Sequence, residues 1–302
     1  MLFGSVARYL SALMSWPLFG SRAALLPLCA VSGLATSACA AAPSPLTPQW
    51  VGSIGAPSCG VLVGGTQVRA APGLRWLRMN DRHWGLVRFA QAIERAAAVV
   101  VRERPGGTLS VGDLSSPLGG GPALPHFSHR SGVDADLLFY VSALDGAPVV
   151  SPGFIHVGAD GLAQSPGDGR WLRFDVEREW LLIKALVEDP LARVEWIFVS
   201  DVVKARLLQW ARARGELTET IFRADSVMAQ PSRGGVHDDH IHVRASCSPE
   251  ELVAGCMATG PRRLWLEYEK PTLDDDSEAL ASALFEPSSA TQSAPVTERS
   301  PP

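Results

Sequence analysis

Six consecutive residues, His240-Ile241-His242-Val243-Arg244-Ala245, alternate polar and aliphatic side chains with a period of two. Only an extended strand sets His240 and His242 on one face and Ile241 and Val243 on the other. This run commits the chain to a sheet that buries its aliphatic face and holds two imidazoles on the opposite one. Two histidines so placed are the usual arrangement of a metal site, or of a metal paired with a catalytic group. The plainer alternatives are a solvated polar strand and a tag-like histidine run, but a tag would not interleave Ile241 and Val243.

A second window supplies the missing ligand types. Pro125-His126-Phe127-Ser128-His129-Arg130-Ser131-Gly132-Val133-Asp134-Ala135-Asp136 leads from a Gly/Pro-rich loop (Ser115–Pro125) into another strand. Alternation puts Asp134, Asp136 and Tyr140 on one side and Ala135, Leu137 and Phe139 on the other. A carboxylate turned away from water is costly unless a cation pairs with it. His129, seven residues before Asp136, can turn back so that both bind one ion. His129, Asp136 and His242 then make a set of two neutral nitrogens and one carboxylate, although geometry alone does not separate Asp134 from Asp136. Zinc held by three protein ligands keeps a fourth position for water, and lowers that water's pKa to about 7. His240, with an unperturbed pKa near ~6.5, can accept a proton or stabilise an oxyanion beside it. The same donor set occurs in non-haem iron triads, where the carboxylate commonly follows the first histidine by two positions.

Strand patterns cover Thr108–Leu114, Asp134–Val141, Val194–Ser200 and His240–Ala245. Helical stripes cover His83–Arg102, Asp175–Glu188 with Asp175 as its cap, and Asp201–Arg214 with an acidic start. The order is mixed and non-repeating. It predicts an α+β fold with a small, mainly antiparallel central sheet, flanking helices and long loops, the zinc site lying on one sheet face.

The ends read differently. Residues 1–40 predict an export signal, because Arg8 and Arg22 are its only charges and an apolar stretch, Ala23–Ala35, precedes small residues. Cleavage before a lipidated Cys39 and ordinary cleavage after Ala40 are equally readable, and either route places the protein in the periplasm. Residues 41–49 form a Pro-rich linker and 50–270 the folding unit. Residues 271–302 form a disordered tail rich in Pro, Ser and acid, with six acids (Asp274, Asp275, Asp276, Glu278, Glu286, Glu298) against Arg299. That tail largely accounts for the net charge of −4, and the balance excludes a basic nucleic-acid binder. Cys247 and Cys256 enclose a short loop that a disulfide can close, which leaves Cys59 without a partner.

Ser128–Asp136 and His237-Asp238-Asp239-His240-Ile241-His242-Val243-Arg244 resemble the paired motifs of the penicillin-insensitive murein endopeptidases. Those enzymes are related to the lysostaphin-type and D-Ala-D-Ala metallopeptidases. The likeness extends over about Val51 to Cys256, through Ser53-Ile54-Gly55, Gly112-Asp113, Trp196-Ile197-Phe198-Val199 and the stretch after His242. It implies zinc on His129, Asp136 and His242, with Asp134 as a non-ligand. It puts the catalytic histidine at His240 and further histidines near the metal at His237, counted with the catalytic set, and His126. The implied substrate is peptidoglycan, cut at the D-alanyl–meso-diaminopimelyl crosslink without an acylated serine. A D-Ala-D-Ala carboxypeptidase and an inactive peptidoglycan-binding relative are the alternatives. His83 and His156 are expected in packing or surface roles, and Trp76, Trp171, Trp180 and Trp196 in the core. Arg130 and Arg244 either hold a substrate carboxylate or pair with Asp134 or Asp238.

Overall fold

The computed structural model describes residues 51–120, 127–232, 235–257 and 259–268. The segments expected as export signal, linker and tail, and His126, lie outside the described residues. The central sheet has six strands: β1 (Leu74–Trp76), β2 (Leu109–Val111), β3 (Asp134–Leu138), β4 (Val194–Phe198), β5 (Met228–Ala229) and β6 (His240–Ala245). Their order across the sheet is β5-β4-β6-β3-β2-β1. The three inner pairings are antiparallel, and the two outer ones, β4 with β5 and β1 with β2, are parallel.

The helices are α1 (Val87–Glu103), α2 (Val176–Glu188), α3 (Asp201–Ala213), α4 (Thr218–Val227) and the short α5 (Pro249–Val253). Ala135, Leu137, Ile197, Ile241 and Val243 from one sheet face join Phe89 and Ile93 of α1 and Trp180 and Ile183 of α2 in a single core. Each fully buried Leu, Ile, Val or Phe among them contributes roughly 1.5–3 kcal/mol. This burial fixes the register: a slip of one residue would drive His240 and His242 into the core and Ile241 and Val243 out of it. The α+β reading with a mainly antiparallel sheet therefore holds.

Several boundaries differ from expectation. The strand expected over Asp134–Val141 stops at Leu138. The chain then turns into a second, four-stranded sheet through Val141–Ser142. Tyr140 consequently leaves the face of Asp134 and Asp136 and lies in the core, its N–H donating to Glu179 Oε2 at 3.0 Å. The first helix begins at Val87 rather than His83, because Trp84–Gly85 pairs as a strand with Thr66–Gln67. His83 is fully buried and stacks on Trp76 at 4.4 Å, a packing role. Trp180 is core as expected, whereas Trp171 is 51% exposed on a strand of the second sheet. Asp175 caps α2 as predicted; α3 is capped by Ser200, one residue before the expected Asp201.

The Cys247–Cys256 disulfide is present and Cys59 is free and exposed. Ser248 and Glu251 form a capping box at the start of α5. Glu251 also accepts from Arg88 of α1, at 2.9 Å from Nε and 2.7 Å from Nη2, which ties the segment after β6 back to the core helix. Among the described residues no helix is long and apolar enough to cross a membrane.

Candidate metal centre and cleft

The register between β3 and β6 sets His242 opposite Asp136, Arg244 opposite Asp134 and His240 opposite Leu138. Because all of these polar residues occupy one pleat direction, the two windows, more than a hundred residues apart in sequence, meet on one face. His129 reaches them from the preceding loop with φ +67, a left-handed conformation that non-glycine residues rarely adopt. The loop is held by Arg130 N–H donating to the Pro57 carbonyl (3.1 Å) and by His129 N–H donating to Asp134 Oδ2 (3.2 Å).

His129, Asp136 and His242 are buried and offer ligand atoms that all lie within 4.8 Å of one another. His129 Nε2 is 3.3 Å and His242 Nδ1 3.0 Å from Asp136 Oδ1. The other nitrogen of His242, Nε2, lies 2.8 Å from Asp134 Oδ1. Asp134 is a carboxylate and accepts from His242 Nε2, which leaves Nδ1 as the nitrogen that faces Asp136. Arg244 Nε donates to the same Asp134 oxygen at 2.6 Å. Burial pushes the Asp134 carboxyl up, but the Arg244 guanidinium and the His242 hydrogen bond outweigh it and hold it well below the usual carboxylate range. With three donors on its two oxygens, Asp134 holds His242 and the His129 backbone, and Asp136 is the carboxylate that faces the two imidazole nitrogens. Two nitrogens and one carboxylate, buried and convergent, fit a divalent metal ion.

His240 stands beside this triad. Its Nδ1 donates to Asp239 Oδ1 at 2.6 Å, and its Nε2 lies 3.4 Å from Asp136 Oδ1. Burial lowers its pKa, yet the hydrogen bonds to Asp136 and Asp239 prevail and push it up to about 9. His237 has φ +56, and its Nδ1 sits 2.8 Å from the Gly235 carbonyl. Its ring is 4.8 Å from that of His240, and burial together with the His240 charge lowers its pKa. The two imidazoles are thus driven in opposite directions.

These groups line a cleft of about 700 Å³. Phe154 meets His240 edge-on at 5.0 Å, and Phe198 lies 5.5 Å from His242 on the other side. Arg244 is fixed on Asp134 and over Phe198, which selects the ion-pair reading for this arginine, while Arg130 is not among the cleft-lining residues. His156, expected in a surface or packing role, is exposed, and it lines the cleft with its Nδ1 2.7 Å from Asp238 Oδ1. Arg78, Phe154 and Phe198 also line the cleft, and nothing in their local sequence announces it: each arrives on a different segment.

The family model of the penicillin-insensitive murein endopeptidases matches residues 53–263. A penicillin-insensitive murein endopeptidase of Haemophilus influenzae is 30% identical over 216 residues, covering 66% of this chain and 67% of the relative. One from Klebsiella pneumoniae is 28% identical over 269 residues, covering 83% and 82%. One from Pectobacterium atrosepticum is 27% identical over 262 residues, covering 85% and 81%. The matched span contains both β3 and β6 and every cleft residue named above, and on this ground the chain belongs to the penicillin-insensitive murein endopeptidase family.

Proposed function

We propose that the protein is a zinc-dependent murein endopeptidase that hydrolyses the D-alanyl–meso-diaminopimelyl crosslink of peptidoglycan. The observation that carries this reading is the buried convergence of His129, Asp136 and His242 beside His240, in the cleft of a member of this family. Those three residues would hold the zinc, through His129 Nε2, an Asp136 oxygen and His242 Nδ1. When bound, the metal supplies an acidified water and a Lewis acid for the scissile carbonyl.

The remaining chemistry belongs to the chain. Asp134 keeps the proton of His242 on Nε2, so that Nδ1 stays available. His240, oriented by Asp239, is placed to donate from Nε2 toward the oxygen or leaving nitrogen on which charge develops. His237, kept neutral by burial, is the imidazole placed to accept a proton. No serine is acylated in such a scheme. An export signal over residues 1–40, with or without lipid on Cys39, would deliver the domain 50–270 to its periplasmic substrate, and the tail 271–302 would remain outside the fold.

Digestion of a defined dimeric muropeptide, analysed by mass, tests the reading. Zinc-loaded protein should split the dimer into monomers, chelation should abolish the reaction, and His240→Ala should bind zinc stoichiometrically yet leave the dimer intact. Normal turnover by His240→Ala overturns the mechanism. Release of a terminal D-alanine in place of monomers redirects the assignment to a carboxypeptidase.

A further inference from the structure

Resting on that reading, we infer that Arg78 is the carboxylate-binding residue of the cleft and recognises the free carboxylate next to the scissile bond. In a D-alanyl–meso-diaminopimelyl crosslink the scissile nitrogen is bonded to a carbon that bears a carboxylate. Once both amino groups of the diaminopimelyl residue are acylated, this acid is its charged handle nearest the reacting carbonyl. A cleft that cuts this bond has to accommodate an anion within a few ångströms of the metal ligands.

Cations available for that task are few. Among the described residues lining the cleft the guanidinium groups are Arg78 and Arg244. Arg244 is largely buried, donates through Nε to Asp134 and lies over Phe198. The side chain of Arg78 is 55% exposed. It sits over the Phe154 ring at 5.5 Å, and the edge of that ring contact leads directly to His240. Its ion pair to Asp113 is long, 3.6 Å, and Asp113 is shared with Arg82 at 3.9 Å, so the three side chains together carry net positive charge. The carboxylates of Asp238 and Asp239, which also line the cleft, each engage a histidine, His156 and His240.

Arg78 is also mechanically coupled to the ligand strand. Leu77 N–H donates to the Val111 carbonyl and extends the β1–β2 pairing to the edge of the cleft. The Asp113 carbonyl accepts from Asp136 N–H at 2.9 Å. The anchor of Arg78 and the carboxylate ligand therefore belong to one hydrogen-bonded frame. A planar guanidinium over an aromatic face is suited to bidentate carboxylate recognition, and a lysine in its place would lose the fork.

Calorimetry with a crosslinked peptide in two forms, its diaminopimelyl carboxylate free or converted to the primary amide, tests the assignment. Zinc-loaded His240→Ala protein is used so that the ligand survives. Arg78→Gln in that background should weaken the acid form about 10- to 100-fold and the amide form less than twofold. Arg78→Lys should fall between for the acid form. Equal weakening of both forms, no weakening of either, or no measurable binding of the acid form overturns the assignment. Cleavage is read separately on the unmutated protein. Failure to cut either peptide would reject the endopeptidase reading, while the binding comparison would still decide the role of Arg78.

Discussion

Asp134 and Asp136 are two residues apart on one strand and identical in chemistry, yet they do different work because their partners differ. Asp134 accepts from His242 Nε2, Arg244 Nε and His129 N, while Asp136 faces both imidazole nitrogens at 3.0 and 3.3 Å. Removing the charge of an orienting carboxylate weakens metal binding without deleting a ligand. Asp134→Asn is therefore expected to lower zinc affinity about 10- to 100-fold, measured by competition with a chromogenic chelator. An unchanged affinity would show that Asp134 does not hold His242.

Short elements with strong local restraints position the site. Strand β6 carries both histidines, and the chain leaving it is fastened at once by the Cys247–Cys256 disulfide, the capping box of α5 and the Arg88–Glu251 pair. A disulfide closing a loop this short contributes roughly 2–3 kcal/mol through the unfolded chain. Replacing both cysteines by serine should lower stability in urea by that amount and leave zinc stoichiometry unchanged, since neither cysteine touches the site. Loss of zinc along with the disulfide would mean that the segment sets the geometry of β6 itself. At this scale the sequence was informative about type and less so about extent. The period-two run of His240–Ala245 and the cap at Asp175 are where expected. The strand from Asp134 ended early and the helix near His83 started late. In both cases pairing with a distant segment, the second sheet or Thr66–Gln67, overrode the local apolar pattern.

Over the whole molecule, the core contains one group that should dominate pH-dependent stability away from the cleft. Glu179 of α2 is fully buried, and that burial raises its pKa to about 8 against the lowering effect of the Tyr140 N–H. Its folded value thus exceeds its unfolded value of about 4.3. The native state holds the proton more tightly, so the contribution is complete below about pH 4.3 and is lost as pH rises through about 8. Within that window the wild type should lose roughly 1.4 kcal/mol per pH unit relative to Glu179→Gln, whose amide oxygen can still accept from Tyr140 N–H. Urea midpoints of the two proteins between pH 5 and 8 measure the difference. Parallel curves would mean that Glu179 is ionised in the native state.

The alternation of His240–Ala245 and of the residues from Asp134 determined by themselves that one strand would carry two histidines, and another two aspartates, each pair on a single face. Side-chain direction in a strand is a local property of the backbone, and no distant contact is needed to fix it. The sequence also carried the ligand types, and family likeness carried their assignment. The tertiary structure supplied the physical reason for that assignment, since Arg244 stands opposite Asp134 across the β3–β6 register and leaves Asp136 facing the two imidazole nitrogens. Only it placed Arg78, Phe154, His156 and Phe198 around the same cleft. Those four residues are brought together by packing between segments far apart in the chain, and convergence of that kind leaves no periodic trace in the sequence.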